Sequence, residues 1–310
     1  MAPKDILVVL DETERSSVRL DLAAALAKRH DARLNGVAAL GLLPSRDFSD
    51  GGPDEATRPL GPPILAGLYA PAVVPAEAAK PGPYSPPEQA ERIGQVFREG
   101  LRRYGLAGDW ESLAGAPGEA VAARARKSDL VVLGQPDPEQ PAVGSVRSMV
   151  EDVLLTAGRP LLLVPFAGTF PTLGLNALIG WRESREAARA VHDALGLIEP
   201  GAKLTVLTVR RGPVPAGRVE LPGEPVARHL ARHGFKAESA EAVAEASLPA
   251  SFIVRPMLSE ADALLNYASD IAADLLVVGG YGHSRTRELV LGGVTRDLLG
   301  HMTLPVLMSH

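Results

Sequence analysis

The chain contains itself twice. Sliding its 310 residues by 145 lays Ser128-Asp-Leu-Val-Val-Leu-Gly134 over Ala273-Asp-Leu-Leu-Val-Val-Gly279. The match resumes at the same shift beyond the next loop, where Asp152 falls on Asp297, Leu154 on Leu299, Pro160 on Pro305, and Leu161–Val164 on Val306–Ser309. A repeat of this length is a duplicated domain rather than a solenoid unit. The starts of the two halves also correspond, Asp5-Ile-Leu-Val-Val-Leu10 with Leu175-Asn-Ala-Leu-Ile179, but at an offset near 171. The difference between the offsets is extra chain in the first half, and the segment at about 42–87, dense in Pro, Gly and Ala, supplies it. Two domains are therefore expected, 1–168 with that insertion and 172–310 without one. The insertion reads as a long loop with little regular structure, a packing or disordered segment or else a lid.

Within each half, apolar runs alternate with helical periodicity. In the second half a strand to Ile179 leads to a helix Ser184–Leu197, and a strand Lys203–Val209 to a helix Glu224–His233. A short strand Phe235–Ser239, a helix Ser259–Ile271, a strand Leu275–Gly279, a helix Val294–His301 and a strand Val306–Ser309 complete it. The strands at 275–278 and 306–308 are continuously apolar, as when helices cover both faces of a sheet. Alternation of this kind predicts α/β architecture: two tandem doubly wound parallel sheets, Rossmann-like in type.

Composition removes several classes of function. A net charge of -5 without any long run of like charge offers no footprint for nucleic acid. The absence of cysteine excludes disulfides, thiolate metal sites and a cysteine nucleophile. No stretch reaches the ~18 uninterrupted apolar residues of a membrane span, and Met1-Ala-Pro-Lys4 runs into the first strand without an apolar leader. The expectation is a cytoplasmic protein with no nucleic-acid or membrane partner.

The segment Gly279–Thr295 leaves a central strand and ends at a helix start, which is where ligands of doubly wound sheets bind. Glycines let the backbone approach a ligand, and free N–H groups at a helix start favour an anion. Gly292, Gly293, Val294 and Thr295 are thus candidate phosphate contacts, with the Thr295 hydroxyl as a further donor. Neither common phosphate motif fits. G-x-x-x-x-G-K-[ST] is absent, and a dinucleotide fingerprint would need glycine at Arg285 and a place after the first strand. Other constellations are weak: His283, Ser284 and Asp297 do not make a triad, and the pair His229 and His233 lacks a third metal ligand and reads as a solvated helix edge. Arg285, Arg287 and Arg296 read as surface charges. No residue is read as a catalyst.

Gly279-x-x-Gly282, nine residues, then Gly292 resembles the G-x-x-G-(nine)-G-[ST] signature of universal stress proteins, and Pro305-Val-Leu-Met308 is similar to their P-V-L-V-V ending. The resemblance implies the nucleotide α-hydrolase-like fold, two halves related by a pseudo-twofold with their last strands paired, a stress-response role, and ATP or a related adenine nucleotide, with or without Mg. An enzymatic role is at most slow ATP hydrolysis. Carried over residue by residue, Gly279, Gly282 and Gly292 match the signature, Val278 and Thr295 sit where the family contacts nucleotide, Val209 ends the second strand where adenine would rest, and Gly180, Trp181, Arg182, His283, Gly293 and Val294 complete the candidate cofactor contacts. Two positions depart from the pattern. Gly293 replaces the signature Ser or Thr, and Arg182, which cannot accept a hydrogen bond, stands where the family carries Asp. Two roles stay open there: Arg182 meeting a phosphate, or Trp181 stacking on a base. The first half keeps that Asp as Asp11 but fills its loop with Gln135-Pro-Asp-Pro-Glu-Gln-Pro141, which would repel phosphate. It reads as a structural partner. The alternative function is an interaction or dimerisation module of the same fold that binds no nucleotide, as the intramolecular pair or as a homodimer.

Overall fold

The computed structural model describes residues 2–39, 86–135, 144–211, 217–244, 259–280 and 293–310. The first half runs β1 (Asp5–Val9), α1 (Arg15–His30), β2 (Arg33–Ala39), α2 (Pro86–Tyr104), β3 (Trp110–Leu113), α3 (Pro117–Ala125), β4 (Leu130–Gly134), α4 (Gly144–Thr156) and β5 (Leu161–Val164). The second repeats the order with β6 (Asn176–Gly180), α5 (Arg185–Ala194), β7 (Lys203–Arg211), α6 (Glu224–Arg232), β8 (Lys236–Ala244), α7 (Glu260–Asp270), β9 (Leu275–Gly279), α8 (Gly293–His301) and β10 (Val306–Ser309). Most of the Pro- and Gly-rich insertion lies outside the described residues; its last two positions, Pro86 and Pro87, open α2.

All ten strands form one sheet in the order β3-β2-β1-β4-β5-β10-β9-β6-β7-β8. Every neighbouring pair is parallel except the central one, β5 with β10, which is antiparallel with Leu161 opposite Met308, Leu162 opposite Leu307 and Leu163 opposite Val306. The pairing of the last strands implied by the family resemblance is present within the single chain. These strands are continuously aliphatic because helices cover both faces. One face carries α1, α2, α5 and α6 around Leu20, Phe97, Val191 and Leu230. The other carries α3, α4, α7 and α8 around Val121, Val153, Leu264 and Leu298. At ~25 cal/mol per Å² of buried apolar surface, these two layers supply most of the driving force for folding.

The repeat persists at the seam in atomic detail. Gln135, buried after β4, donates from Nε2 to the Leu299 carbonyl of α8 (2.9 Å) and accepts from the Phe166 N–H (3.1 Å). At the position 145 residues on, Gly280 lies so close to Leu154 of α4 that an added Cβ would stand 2.9 Å from its Cδ2. Gln135 N donates to Val164 O, as Gly280 N does to Ser309 O. A second tie comes from the end of α1, where Arg29 donates to the carbonyls of Leu173 (2.9 Å) and Leu197 (2.6 Å) and pairs with Glu199.

Strand β8 is longer than the sequence suggests. Lys236–Ala244 pairs with β7 over nine positions, where the residue pattern predicts Phe235–Ser239 alone. Its Ala and Glu content disfavours a strand, and continuous pairing along β7 overrides that preference.

Candidate ligand site

In the second half the chain steps outward from β6 to β7 and β8, then returns to the other side of β6 as β9 and β10. The sheet order therefore switches between β6 and β9, and the carboxyl ends of those strands flank a crevice. A cavity of about 500 Å³ occupies it. The cavity is lined by Gly180, Trp181 and Arg182 at the end of β6, by Val209 of β7, by Val278 and Gly279 of β9, and by Gly293, Val294 and Thr295 in the first turn of α8. Those nine are brought together. Gly282, His283 and Gly292 lie outside the described residues.

Two helix starts border the cavity, and they differ. At α5 the Ser184 hydroxyl accepts from the Ala187 N–H (3.2 Å), and the carboxylate of Glu186, 8% exposed, sits in the first turn. Burial acts to raise the Glu186 pKa, but hydrogen bonds from Arg185 and Ser184 outweigh it and hold the carboxyl below its ordinary range. That helix start carries its own cap and its own anion. The first turn of α8, Gly293-Val294-Thr295, carries no acidic residue, and the first N–H groups of a helix have no acceptor within it.

The glycines divide by role. An added Cβ at Gly279 would stand 2.6 Å from Ala187 N and 2.7 Å from the Glu186 carbonyl carbon, so this glycine is what lets α5 reach β9. At Gly293 an added Cβ would meet nothing within 4 Å among the described residues, and Gly293 borders the cavity.

The sequence reading passed over several lining residues. Leu207 and Thr208 belong to the same strand end as Val209, and Leu264 of α7 faces them. Arg211 and Glu260 also line the cavity, paired Nε to Oε1 at 3.0 Å. Their signal was available. Ser259 and Asp262 form a reciprocal capping box, with Asp262 N donating to Ser259 Oγ (3.1 Å) and Ser259 N to Asp262 Oδ2 (2.9 Å). A box that fixes the start of α7 also places its first residue, Glu260, on the ligand side of the sheet.

At the matching strand ends of the first half, Arg19, Asp11 and Ser16 meet one another. Arg19 of α1, 4% exposed, donates to Asp11 Oδ2 (2.7 Å) and to Ser16 Oγ (3.0 Å). Its guanidinium lies against the end of β4, where a Cβ on Gly134 would stand 2.6 Å from Nη1. Burial acts to raise the Asp11 pKa, but the Arg19 charge and hydrogen bonds from Thr13 and Arg19 outweigh it, leaving the carboxyl below its ordinary range. The offset of 171 puts Arg182 at the Asp11 position and Ala190 at the Arg19 position, so the second half has neither partner of this pair. The loop also shortens: α4 begins ten positions after Gly134, whereas α8 begins fourteen after Gly279.

Elsewhere, the His229 and His233 rings stack edge to face at 4.8 Å on α6. Among the described residues no group of three His, Asp or Glu is placed to hold a metal, and no helix is long and apolar enough to cross a membrane.

Fold and site together define a tandem doubly wound α/β protein with a ligand-sized cavity at its second switch point. Residues 176–310 match the model of the universal stress protein family. It is similar in structure to a universal stress protein of Archaeoglobus fulgidus, with a TM-score of 0.64 at 14% identity over 98% of this chain and 96% of that one. A universal stress protein of Pseudomonas aeruginosa aligns with a TM-score of 0.53 at 15% identity over 99% of this chain and 93% of its own. In sequence, a universal stress protein of Synechocystis is 46% identical over 46 residues, which span 15% of this chain and 16% of that protein.

Proposed function

We propose that the chain binds an adenine nucleotide, ATP or a close relative, in the cavity of its second half, and that it acts as a regulatory protein of the stress response. On this reading 1–168 and 172–310 are its domains, and the first is a structural partner. The observation that carries the reading is that one cavity holds both kinds of wall a nucleotide needs. The first turn of α8 provides backbone N–H donors that have no acceptor within the helix at one end, and Leu207, Val209, Leu264 and Val278 provide apolar surface for a base. A volume of about 500 Å³ lies within the ~300–1,000 Å³ of small-molecule sites. Trp181, at the end of β6, offers a stacking face, and Arg182 beside it a cation for a phosphate. Any Mg would arrive on the nucleotide's own phosphates.

The test is mass analysis of small molecules released when the purified protein is denatured. An adenine nucleotide recovered near one per chain supports the reading. Absence of any nucleotide, together with no thermal shift on adding ATP, ADP or AMP with Mg, would leave the interaction module in its place.

A further inference from the structure

We propose that Glu260 chooses the base: its carboxylate accepts from an exocyclic amino group, so the cavity takes a 6-aminopurine and rejects a 6-oxopurine. The proposal rests on the nucleotide reading above and assigns the residue that would set its specificity. It follows from the order of strands. α8 rises from the β9–β10 side of the crevice, whereas Glu260 meets Arg211 at the end of β7, on the far side of β6. Two strand spacings, ~10 Å, separate those ends. A phosphate held at the α8 start directs the base toward Glu260.

Along that path the walls are Leu207, Leu264 and Val278, which grip the faces of a ring but do not read its edge. Glu260 is placed to do so. Its side chain is 21% exposed against 67% for Arg211, so the carboxylate is the more buried member of the pair, and both residues line the cavity. The Arg211 Nε bond to Oε1 holds the carboxylate at the first residue of α7, beside the Ser259 cap. An ionised carboxylate accepts and cannot donate. An amino group at the edge of the ring satisfies it, whereas a carbonyl oxygen there opposes it lone pair to lone pair.

The experiment compares dissociation constants of ATP and ITP, which differ in the group on C6 and in the proton that ITP carries on N1, for the wild-type chain, Glu260→Gln and Glu260→Ala, with melting curves to check folding. The wild type is expected to bind ATP at least roughly tenfold more tightly, the effect of a hydrogen bond to a charged group. Glu260→Gln, whose amide both donates and accepts, is expected to bring the two within about threefold, and Glu260→Ala to remove the preference as well. A wild type that binds both alike, or prefers ITP, overturns the role of Glu260 while nucleotide binding stands. So does a Gln variant that keeps the full preference. A wild type that binds neither nucleotide overturns both proposals together.

Discussion

Replacing Val306 with proline tests whether the two halves are held as one cooperative sheet. Leu276 N donates to the Pro305 carbonyl, so Pro305 faces β9, and the alternation along β10 turns the Val306 N–H toward Leu163 of β5. Proline removes that donor from a fully buried central strand and leaves an acceptor of β5 unpaired. With ring clashes added, the cost is about 3 kcal/mol, a large share of the ~5–15 kcal/mol by which such proteins are stable. At a urea slope of about 3 kcal/mol/M this lowers the midpoint by about 1 M. The chain has two tryptophans, Trp110 on β3 and Trp181 after β6, one in each half. Fluorescence of Trp181→Phe therefore reports the first half alone, and that of Trp110→Phe the second. In either background Val306→Pro is expected to shift the transition by the same amount. A shift seen through Trp181 with the Trp110 transition unmoved would refute the single-sheet argument.

Two further outcomes follow from named contacts. Asp11→Asn leaves Arg19 buried without its charge partner, and the loss at neutral pH is about 1 kcal/mol, discounted because the Asp11 side chain is half exposed. The Asp11 pKa is depressed in the folded state, so its contribution is present above the unfolded value and disappears as pH falls through the folded one. The gap between wild type and variant in urea midpoint should accordingly close in strong acid; a gap independent of pH would contradict the ion pair. Ser259→Ala removes the hydroxyl that accepts from Asp262 N, and chemical denaturation should show a loss of about 1 kcal/mol, whereas an unchanged midpoint would mean that the capping box is idle.

Much of this architecture was legible from the repeat. The shift of 145 aligned the two final strands before any coordinates, and their continuous aliphatic character marked them as central. Strand β9 and the glycine that ends it were equally plain. What escaped the sequence depends on contacts distant along the chain. Arg19 reads as one more helical arginine until Gly134, over a hundred residues away, is seen to make room for its guanidinium. Gly279 and Gly293 look alike as letters, yet one admits a helix backbone, and a Cβ on the other would meet nothing within 4 Å among the described residues. Arg211 was hidden by a strand that runs two residues beyond Val209, carried on by its pairing with β8.

Calorimetric titration of the wild-type chain and of Gly293→Leu with ATP and Mg tests the central claim most directly. An added side chain at position 293 meets no described atom within 4 Å of its Cβ, lies in a helix that prefers leucine to glycine, and stands at the border of the cavity. The wild type should bind one ATP per chain, and the variant should bind at least roughly tenfold more weakly while melting no lower in the absence of ligand. Two ATP per chain would contradict the reading of the first half as a structural partner. No binding by the wild type, or undiminished binding by Gly293→Leu, would contradict the placement of a nucleotide at the start of α8.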